Sequence, residues 1–317
     1  MTKRRMIAIG LLAAIALSSA FAANTPCSGK KGGVAGCRNG AFLCQDGTLN
    51  ASKQVCTDAG EPTAAVRQTV ALVAAPPATQ TRGQSAAAPD GGLPRTAATF
   101  AKAKKLVYER VYFDHPRTLY CGCAYDAARQ VALDTCGLQE LAGNKRAARI
   151  EAEHVFPAAQ FGNFRTCWRE PARFAQCRKA DGNTLSGRAC CLRVDPLFVA
   201  AHNDLQNLYP EDGYLNGRRS DYNWGMVTGG TTYGTCDMRF DGSIRRVQPP
   251  VAVRGEIART MFYMRDTYGF RLSRQDRQLY TAWNNQHPPD DWEIERNRRI
   301  KEIQGVGNAY VEAYRRL

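Results

Sequence analysis

Twelve cysteines fall into two groups along this chain of 317 residues, and they constrain its fold more than any other feature. Four lie within residues 27–56 and eight lie within residues 121–236. Both groups are even in number, so each can close its own disulfide bonds. Cys121-Gly-Cys123 and Cys190-Cys191 are too tightly spaced for easy pairing within themselves. We therefore expect these four cysteines to form bridges to other parts of the chain.

Metal binding is the other common use of clustered cysteines. Zinc sites are usually built from CxxC pairs or from mixed Cys/His clusters, and the sequence contains neither. Disulfides are typical of cysteine-rich exported proteins. We expect an oxidised chain rather than a zinc protein. Eight cysteines allow 105 pairings, and the sequence leaves the choice among them open.

The first 22 residues have the pattern of a secretory signal peptide. Basic residues at positions 3–5 precede an apolar stretch, and small residues before and at Ala22 permit cleavage there. A membrane anchor is the alternative, but about 12 apolar residues are too few to cross roughly 30 Å of hydrocarbon. We expect a periplasmic or secreted protein with no membrane span after residues 1–22 are removed.

Composition divides the rest of the chain into three parts. Residues 23–56 predict a small four-cysteine module held by two disulfides, because so short a segment cannot build its own core. Residues 57–98 are rich in Ala and Pro, which is typical of a flexible linker. Residues 99–317 contain aromatic residues and dense charge and predict a folded domain.

This folded domain is expected to be of the α+β class. Loose alternation over residues 147–156 predicts a strand. Capping residues and apolar residues at helical spacing predict helices. These helices are expected over residues 99–108, 125–129, 195–205, 253–268, 274–283 and 290–304.

The charge of the chain favours a polyanionic partner. Lys and Arg number 43 against 29 Asp and Glu, which gives a net charge of +14. The basic residues of the folded domain are mostly arginines, whose planar donor groups bind phosphate through two hydrogen bonds. A solvated basic surface is the alternative. A mean hydropathy of −0.42 excludes a multi-pass membrane protein.

Glu153 and His154 are the most distinctive titratable residues in the chain, which has four histidines. The predicted strand that carries them ends at Pro157. Adjacent side chains point to opposite faces inside a strand, but at a strand end both can face one cleft. A carboxylate and an imidazole in one cleft are suited to acid–base or metal chemistry.

Several motifs around these two residues occur in a fixed order. They are Tyr120-Cys-Gly-Cys123, Glu153-His154-Val-Phe-Pro-Ala-Ala-Gln-Phe-Gly162, Cys167-Trp168, Asp204-Leu-Gln-Asn207-Leu-Tyr-Pro210, Asn216-Gly217, Arg254-Gly-Glu-Ile-Ala-Arg259, Leu272-Ser-Arg-Gln275, Trp283-Asn284, Asp291-Trp-Glu293 and Ile303-Gln-Gly305. In combination they resemble the bacterial endonuclease I family of periplasmic or secreted nonspecific nucleases. The resemblance covers roughly residues 105–312.

This resemblance implies a nuclease domain with a ββα-metal finger at its active site. It implies that His154 is the general base and that Glu153 and Asn207 are the protein ligands of a single divalent metal ion. The implied cofactor is Mg²⁺, with Mn²⁺ or Ca²⁺ able to replace it in binding. It also implies that Arg173 holds the scissile phosphate.

The expected function is nonspecific endonucleolytic hydrolysis of DNA by a monomer that leaves 5′-phosphate ends, with RNA open as a second substrate. Arg218 and Arg219 follow Asn216-Gly217 and are expected to line the DNA groove. The alternative is a catalytically silent, exported nucleic-acid-binding protein. Retention of Glu153, His154 and Asn207 favours the enzyme.

Overall fold

A computed structural model describes Cys27, residues 34–38, 41–45 and 48–50, and residues 92–317. The chain separates into two compact units, Met1–Gln80 and Thr81–Leu317. The predicted signal peptide and nearly all of the predicted linker lie outside the described residues. Among the residues that are described, no helix is long and apolar enough to cross a membrane.

The described part of the first unit is a small antiparallel sheet. Its strands are β1 (Val34–Arg38), β2 (Ala41–Cys44) and β3 (Leu49–Asn50), in the order β1-β2-β3. A disulfide joins Cys27 to Cys44, and Phe42 is buried beside it. So small a buried cluster depends on its covalent bridge for stability.

The second unit mixes helices with several small sheets, which confirms the α+β class. Its strands are β4 (Ala124–Tyr125), β5 (Val131–Ala132), β6 (Ile150–His154), β7 (Leu208–Asp212), β8 (Asn223–Trp224), β9 (Thr231–Tyr233), β10 (Cys236–Asp241) and β11 (Arg246–Gln248). Its α-helices are α1 (Phe100–Leu106), α2 (Ala158–Gly162), α3 (Thr166–Arg169), α4 (Gly187–Val194), α5 (Pro196–His202), α6 (Gly213–Arg219), α7 (Arg254–Tyr268), α8 (Arg274–Gln286), α9 (Asp291–Gln304) and α10 (Ala309–Glu312).

Capping side chains set the beginnings of most predicted helices. Thr99, Asp195, Ser273 and Asp290 each accept a hydrogen bond from a backbone N–H in the first turn of α1, α5, α8 and α9, respectively. Such caps satisfy donors that have no partner within the helix. The predicted helices at 99–108, 195–205, 253–268, 274–283 and 290–304 are confirmed, with ends that differ by a few residues.

The helix predicted over residues 125–129 is wrong. Tyr125 belongs to β4, and the residues after it form a tight turn into β5. In this turn the Asp126 carboxylate accepts from the backbone N–H of Gln130 at 2.8 Å, and Arg129 has a positive φ of 64°. Aspartate favours such turns because its side chain competes for backbone donors.

Buried polar side chains of α9 tie the helices to the segment that precedes β7. Arg296 donates to the carbonyls of Leu205 at 2.8 Å and Leu208 at 3.2 Å, and to the Tyr112 hydroxyl at 3.0 Å. Gln304 donates to Asp204 at 2.8 Å. These bonds satisfy backbone oxygens that would otherwise be buried without partners, and they fix where β7 begins.

A two-stranded antiparallel sheet and the helix after its second strand form another part of the second unit. Strand β6 pairs with β7 in antiparallel register from Ile150 opposite Asp212 to His154 opposite Leu208. The strand predicted over 147–156 is thereby confirmed over Ile150–His154. Asp212 ends β7 and caps α6, since its Oδ1 accepts from the backbone N–H groups of Tyr214 and Leu215. Helix α6 therefore follows β7 without a loop.

A second, four-stranded sheet has the order β8-β11-β10-β9. Strands β9, β10 and β11 pair antiparallel, whereas β8 pairs with β11 in parallel. Trp224 on β8 and Val247 on β11 are fully buried. The parallel pairing places Trp224 in the core close to the end of β6, where its indole N–H donates to the carbonyl of Val155 at 2.9 Å.

Four disulfides join segments of the second unit, and they confirm that the closely spaced cysteines pair outward. Cys121 pairs with Cys236, and its neighbour Cys123 pairs with Cys136. The adjacent cysteines of α4 also diverge. The α4 bridges are Cys167–Cys191 and Cys177–Cys190.

Two of these bridges offer a matched test of how disulfides stabilise the domain. Cys123–Cys136 and Cys177–Cys190 have the same sequence separation of 13 residues. If each acts mainly by restricting the unfolded chain, its replacement by two alanines should lower the free energy of unfolding by about 3 kcal/mol in either case. Urea denaturation of both double variants measures the losses. Unequal losses would show that native contacts, and not loop closure, dominate.

Candidate active site

A polar cavity of about 860 Å³ lies where the end of β6 meets α1, α4 and α6. Its wall includes Glu153 and His154 at the end of β6. The two side chains thus face one cleft, as expected for a strand that ends there. The wall also includes Phe100, Lys104, Tyr108, Arg129, Arg146, Arg149, Glu151, Arg188, Asn216, Gly217 and Asp221.

His154 is oriented by a backbone carbonyl. Its Nε2 lies 2.8 Å from the carbonyl oxygen of His202, the last residue of α5. A carbonyl can accept a hydrogen bond but cannot donate one, so Nε2 must carry the proton. In the neutral ring, Nδ1 then keeps a free lone pair. The geometry prepares Nδ1 of His154 to accept a proton.

The surroundings of His154 keep its ring neutral. Burial lowers the pKa of His154 well below its usual value, and the neighbouring His202 and the positive charges of Arg188 and Arg219 act in the same direction. The ring of Phe100 stacks on His154 at a centroid distance of 5.3 Å. A neutral imidazole at neutral pH is the form that serves as a base.

Glu153 is buried and anchored. Its Oε1 accepts from the Tyr120 hydroxyl and from Nη1 of Arg219, the latter at 2.6 Å. Burial raises the pKa of Glu153, whereas the charge of Arg219 and the bond from Tyr120 oppose that rise. The carboxylate borders the cavity in a fixed orientation with a cationic partner behind it.

Arg219 lies inside the protein and not in a surface groove. Besides Glu153, it donates to the carbonyls of His154 at 2.7 Å and Val155 at 2.5 Å, and its guanidinium lies 4.3 Å from the Trp224 ring. Its exposed fraction is 0%. A direct contact between Arg219 and DNA, which was expected from the sequence, is thus incompatible with its position. Arg218, the adjacent residue, is exposed.

Asn207 also lies inside the protein, where its side chain bonds to the backbone. Its Oδ1 accepts from the backbone N–H of Phe156 at 2.6 Å, and its Nδ2 donates to the Phe156 carbonyl at 3.0 Å. It is fully buried and does not line the cavity. Its amide therefore extends the β6–β7 ladder past His154, in a place where the sequence led us to expect a metal ligand.

Asn216 on α6 is the asparagine that the structure brings to the cavity. Together with Glu153 it offers a carboxylate and an amide oxygen, the donor types that Mg²⁺ accepts. Among the described residues, no group of three or more His, Cys, Asp and Glu could hold a metal ion. The donor set therefore fits a loosely held ion that keeps several waters. The Asn216-Gly217 motif was the sequence signal that could have identified this residue.

Arg173 and Arg188 occupy contrasting positions. Arg173 does not line the cavity, and its side chain is 70% exposed and paired with Glu170 at 2.5 Å. Arg188 does line the cavity, close enough to affect the pKa of His154. Helix α4 carries Arg188 two residues before Cys190, whose bridge to Cys177 could not be assigned from the sequence. Because that pairing was open, nothing in the sequence indicated that α4 lies beside the cavity.

Besides Arg188, four cations of the cavity wall were not identified from the sequence, namely Lys104, Arg129, Arg146 and Arg149. Lys104 comes from α1, Arg129 from the β4–β5 turn and Arg149 from the residue before β6. Together with Arg188, these cations outnumber the carboxylates of the wall, which are Glu151, Glu153 and Asp221. The excess of positive charge suits a phosphate chain.

The adjacent arginines of α6 provide a matched stability test. Arg219→Leu should lower the free energy of unfolding by about 3–5 kcal/mol, because it leaves the Glu153 carboxylate buried without its cation. Arg218→Ala should change it by less than about 0.5 kcal/mol, since the side chain is exposed. Urea denaturation of both variants measures this contrast, and similar losses would contradict the assigned positions.

Comparison with known proteins gives two separate matches along the chain. Residues 103–314 match the family model described as Endonuclease I, and residues 27–58 match the model described as YdcA. The second match lies in the four-cysteine segment.

Curated relatives match about two thirds of the chain. A periplasmic deoxyribonuclease of Aeromonas hydrophila is 40% identical over 221 residues, which cover 68% of this chain and 86% of the relative. An extracellular deoxyribonuclease of the same organism is 40% identical over 225 residues, or 69% of this chain and 92% of the relative. Endonuclease-1 of Buchnera aphidicola is 35% identical over 221 residues, or 68% and 82%. The active-site cavity lies within the matched segment, apart from Phe100, and the chain belongs to the endonuclease I family.

Proposed function

We propose that this protein is an exported, metal-dependent endonuclease in which Nδ1 of His154 is the general base. The observation that carries the proposal is the hydrogen bond from Nε2 of His154 to the His202 carbonyl at 2.8 Å. It selects the tautomer whose free nitrogen can take a proton, beside a carboxylate that borders the same cavity. A protein that merely binds nucleic acid has no need of this arrangement.

In this proposal, β6, β7 and α6 form the ββα-metal finger. Strand β6 supplies Glu153 and helix α6 supplies Asn216, and both residues border the cavity. A divalent ion held there would neutralise charge on the phosphoryl oxygens and stabilise the leaving oxygen. Mg²⁺ suits these oxygen donors, and Mn²⁺ or Ca²⁺ can replace it in binding. Asn216 takes the ligand role that the sequence had suggested for Asn207.

The reaction follows from the position of His154. Nδ1 accepts a proton from a water molecule as the water oxygen bonds to phosphorus, and the bond from phosphorus to the 3′-oxygen breaks. The products are a 5′-phosphate and, after the leaving oxygen gains a proton from solvent, a 3′-hydroxyl. The ring stays in place throughout, because the His202 carbonyl holds its opposite nitrogen and Phe100 covers one face.

Arg188 is proposed to hold the scissile phosphate, the role that the sequence had suggested for Arg173. Its guanidinium can donate two parallel hydrogen bonds to the phosphoryl oxygens. Lys104, Arg129 and Arg149 would contact neighbouring phosphates along the cavity. Phosphates are alike at every step of a strand, so such contacts predict little sequence preference.

DNA is the proposed substrate, since two of the relatives are named deoxyribonucleases and one of these is named periplasmic and the other extracellular. The proposal includes export to the periplasm or beyond and action as a monomer, with RNA as a second substrate to be tested. A catalytically silent DNA-binding protein is the competing function. The orientation of His154 favours the enzyme.

Replacement of the proposed base should separate catalysis from binding. We expect His154→Ala to lower the rate of plasmid nicking in Mg²⁺ by about 10²–10⁴-fold, the usual contribution of a general base. Duplex DNA binding, measured with Ca²⁺ in place of Mg²⁺, should stay near the wild-type level because the cations of the cavity remain.

His115→Ala is the control for this experiment. His115 stacks on Trp292 at 3.8 Å and does not line the cavity, so its loss should leave nicking unchanged. EDTA should abolish nicking by the wild-type protein. A folded His154→Ala protein that nicks at the wild-type rate would exclude His154 as the base, and nicking that survives EDTA would exclude metal dependence.

Replacement of each candidate arginine by alanine should have a different effect on cleavage. Arg188→Ala should lower the cleavage rate by about 10²–10³-fold, the range for one donor aimed at developing charge, and should weaken DNA binding much less. Arg173→Ala should leave both nearly unchanged, because this side chain is exposed and paired with Glu170. Single-turnover cleavage and binding assays on several unrelated duplexes measure both effects.

If Arg173→Ala lowered the cleavage rate and Arg188→Ala did not, the contact with the scissile phosphate would be assigned to Arg173. One duplex cleaved far faster than the others would contradict the nonspecific activity.

A further inference from the structure

From the contacts around Asn216 we propose that Glu151 is a positioning residue, which Arg146 and Arg149 hold so that the Asn216 side chain presents its oxygen to the cavity. The proposal rests on the proposed function, because it takes Asn216 as a metal ligand. Glu151 lies on β6 two residues before Glu153, and α6 packs beside it.

Four hydrogen bonds occupy the Glu151 carboxylate. Its Oε1 accepts from Nε of Arg146 at 2.9 Å and from Nη2 of Arg149 at 3.1 Å. Its Oε2 accepts from Nη2 of Arg146 at 2.8 Å and from Nδ2 of Asn216 at 3.1 Å. Both oxygens are committed to donors, so Glu151 is suited to orient neighbours and not to coordinate a cation itself.

The bond to Glu151 determines which end of the Asn216 amide is available. An ionised carboxylate only accepts hydrogen bonds, so the atom that faces it must be the nitrogen. Three hydrogen bonds from the positively charged Arg146 and Arg149 surround the two oxygens of Glu151, and such a site suits a carboxylate that only accepts. Glu151 thus stays ionised, and Oδ1 is the end that Asn216 can offer to the cavity it lines.

Two glycines of α6 make room for this arrangement. A Cβ at Gly213 would lie 2.7 Å from Oε1 of Glu151, and a Cβ at Gly217 would lie 2.3 Å from Nη1 of Arg146. Both distances are shorter than van der Waals contact. The Arg146–Glu151 pair therefore lies directly against the helix that carries Asn216, and a side chain at either glycine would displace it.

The test measures Mn²⁺ affinity of the full chain without DNA, by electron paramagnetic resonance of the free ion. Glu151→Gln should weaken Mn²⁺ binding by about 10–100-fold, the usual effect of a residue that orients a ligand. Gly217→Ala should weaken it as well, although this change alters no charge and favours the helix. In cleavage assays, the Mn²⁺ concentration for half-maximal rate should rise in both variants.

Control variants distinguish orientation from a general loss of negative charge. Glu109→Gln also removes a carboxylate, one that pairs with Arg129 of the cavity wall at 3.4 Å, and it should leave Mn²⁺ affinity unchanged. If Glu151 acts through Asn216, Glu151→Gln should have little further effect in an Asn216→Ala background. An equal effect in both backgrounds would show that charge alone is responsible and would overturn the proposal.

The remaining outcomes separate this proposal from the proposed function. Wild-type Mn²⁺ affinity in both Glu151→Gln and Gly217→Ala, with weak binding by Asn216→Ala, would overturn the positioning role and leave the metal site intact. Wild-type affinity in Asn216→Ala would remove Asn216 from the metal site, and the positioning role of Glu151 would fail with it.

Discussion

The buried guanidinium of Arg219 holds the end of β6, which carries Glu153 and His154, in place. Arg219 donates to the Glu153 carboxylate and to the carbonyls of His154 and Val155, three consecutive residues. A buried charge is tolerated when it is paired and hydrogen-bonded. The acceptors that Arg219 finds belong to the segment where β6 ends, while its Nε has no hydrogen-bond partner among the described residues. Because these bonds act on backbone and side chain together, the directions of Glu153 and His154 are set jointly with the position of α6.

The cavity combines two means of holding side chains ready for chemistry. His154 is oriented by a backbone carbonyl, and Glu153 by Tyr120 and Arg219. Arg188 comes from a helix that two disulfides attach to the preceding segment. Catalytic groups fixed before the substrate arrives do not need to reorganise during the reaction. The proposed proton acceptor, His154, therefore depends on hydrogen bonds for its orientation, whereas the proposed phosphate-binding residue, Arg188, depends on covalent bridges.

Local signals in the sequence predicted five helices and strand β6, but none of the other strands described in the second unit, and they did not predict which residues meet. Ser273 and Asp290 mark helix starts because caps act within one turn. Glu153 and His154 could be identified because they are adjacent on one strand. Asn207 and Asn216 could not be ranked, because their roles depend on whether the amide faces a backbone segment or a cavity. Arg188 required the disulfide pairing, which is a property of the folded chain.

The adjacent cysteines of α4 pair with different partners, and this determines when the helix becomes fixed in place. Cys190 and Cys191 lead to different partners, so the helix that carries Arg188 is fully secured only after two separate oxidation events. A newly synthesised chain in a reducing compartment lacks both bridges, although the hydrogen bonds that orient His154 need no oxidant. In an exported protein, the two bridges that fix α4 and its proposed phosphate-binding residue, Arg188, would form only after the chain had left the cytoplasm. That compartment holds the genome of the producing cell.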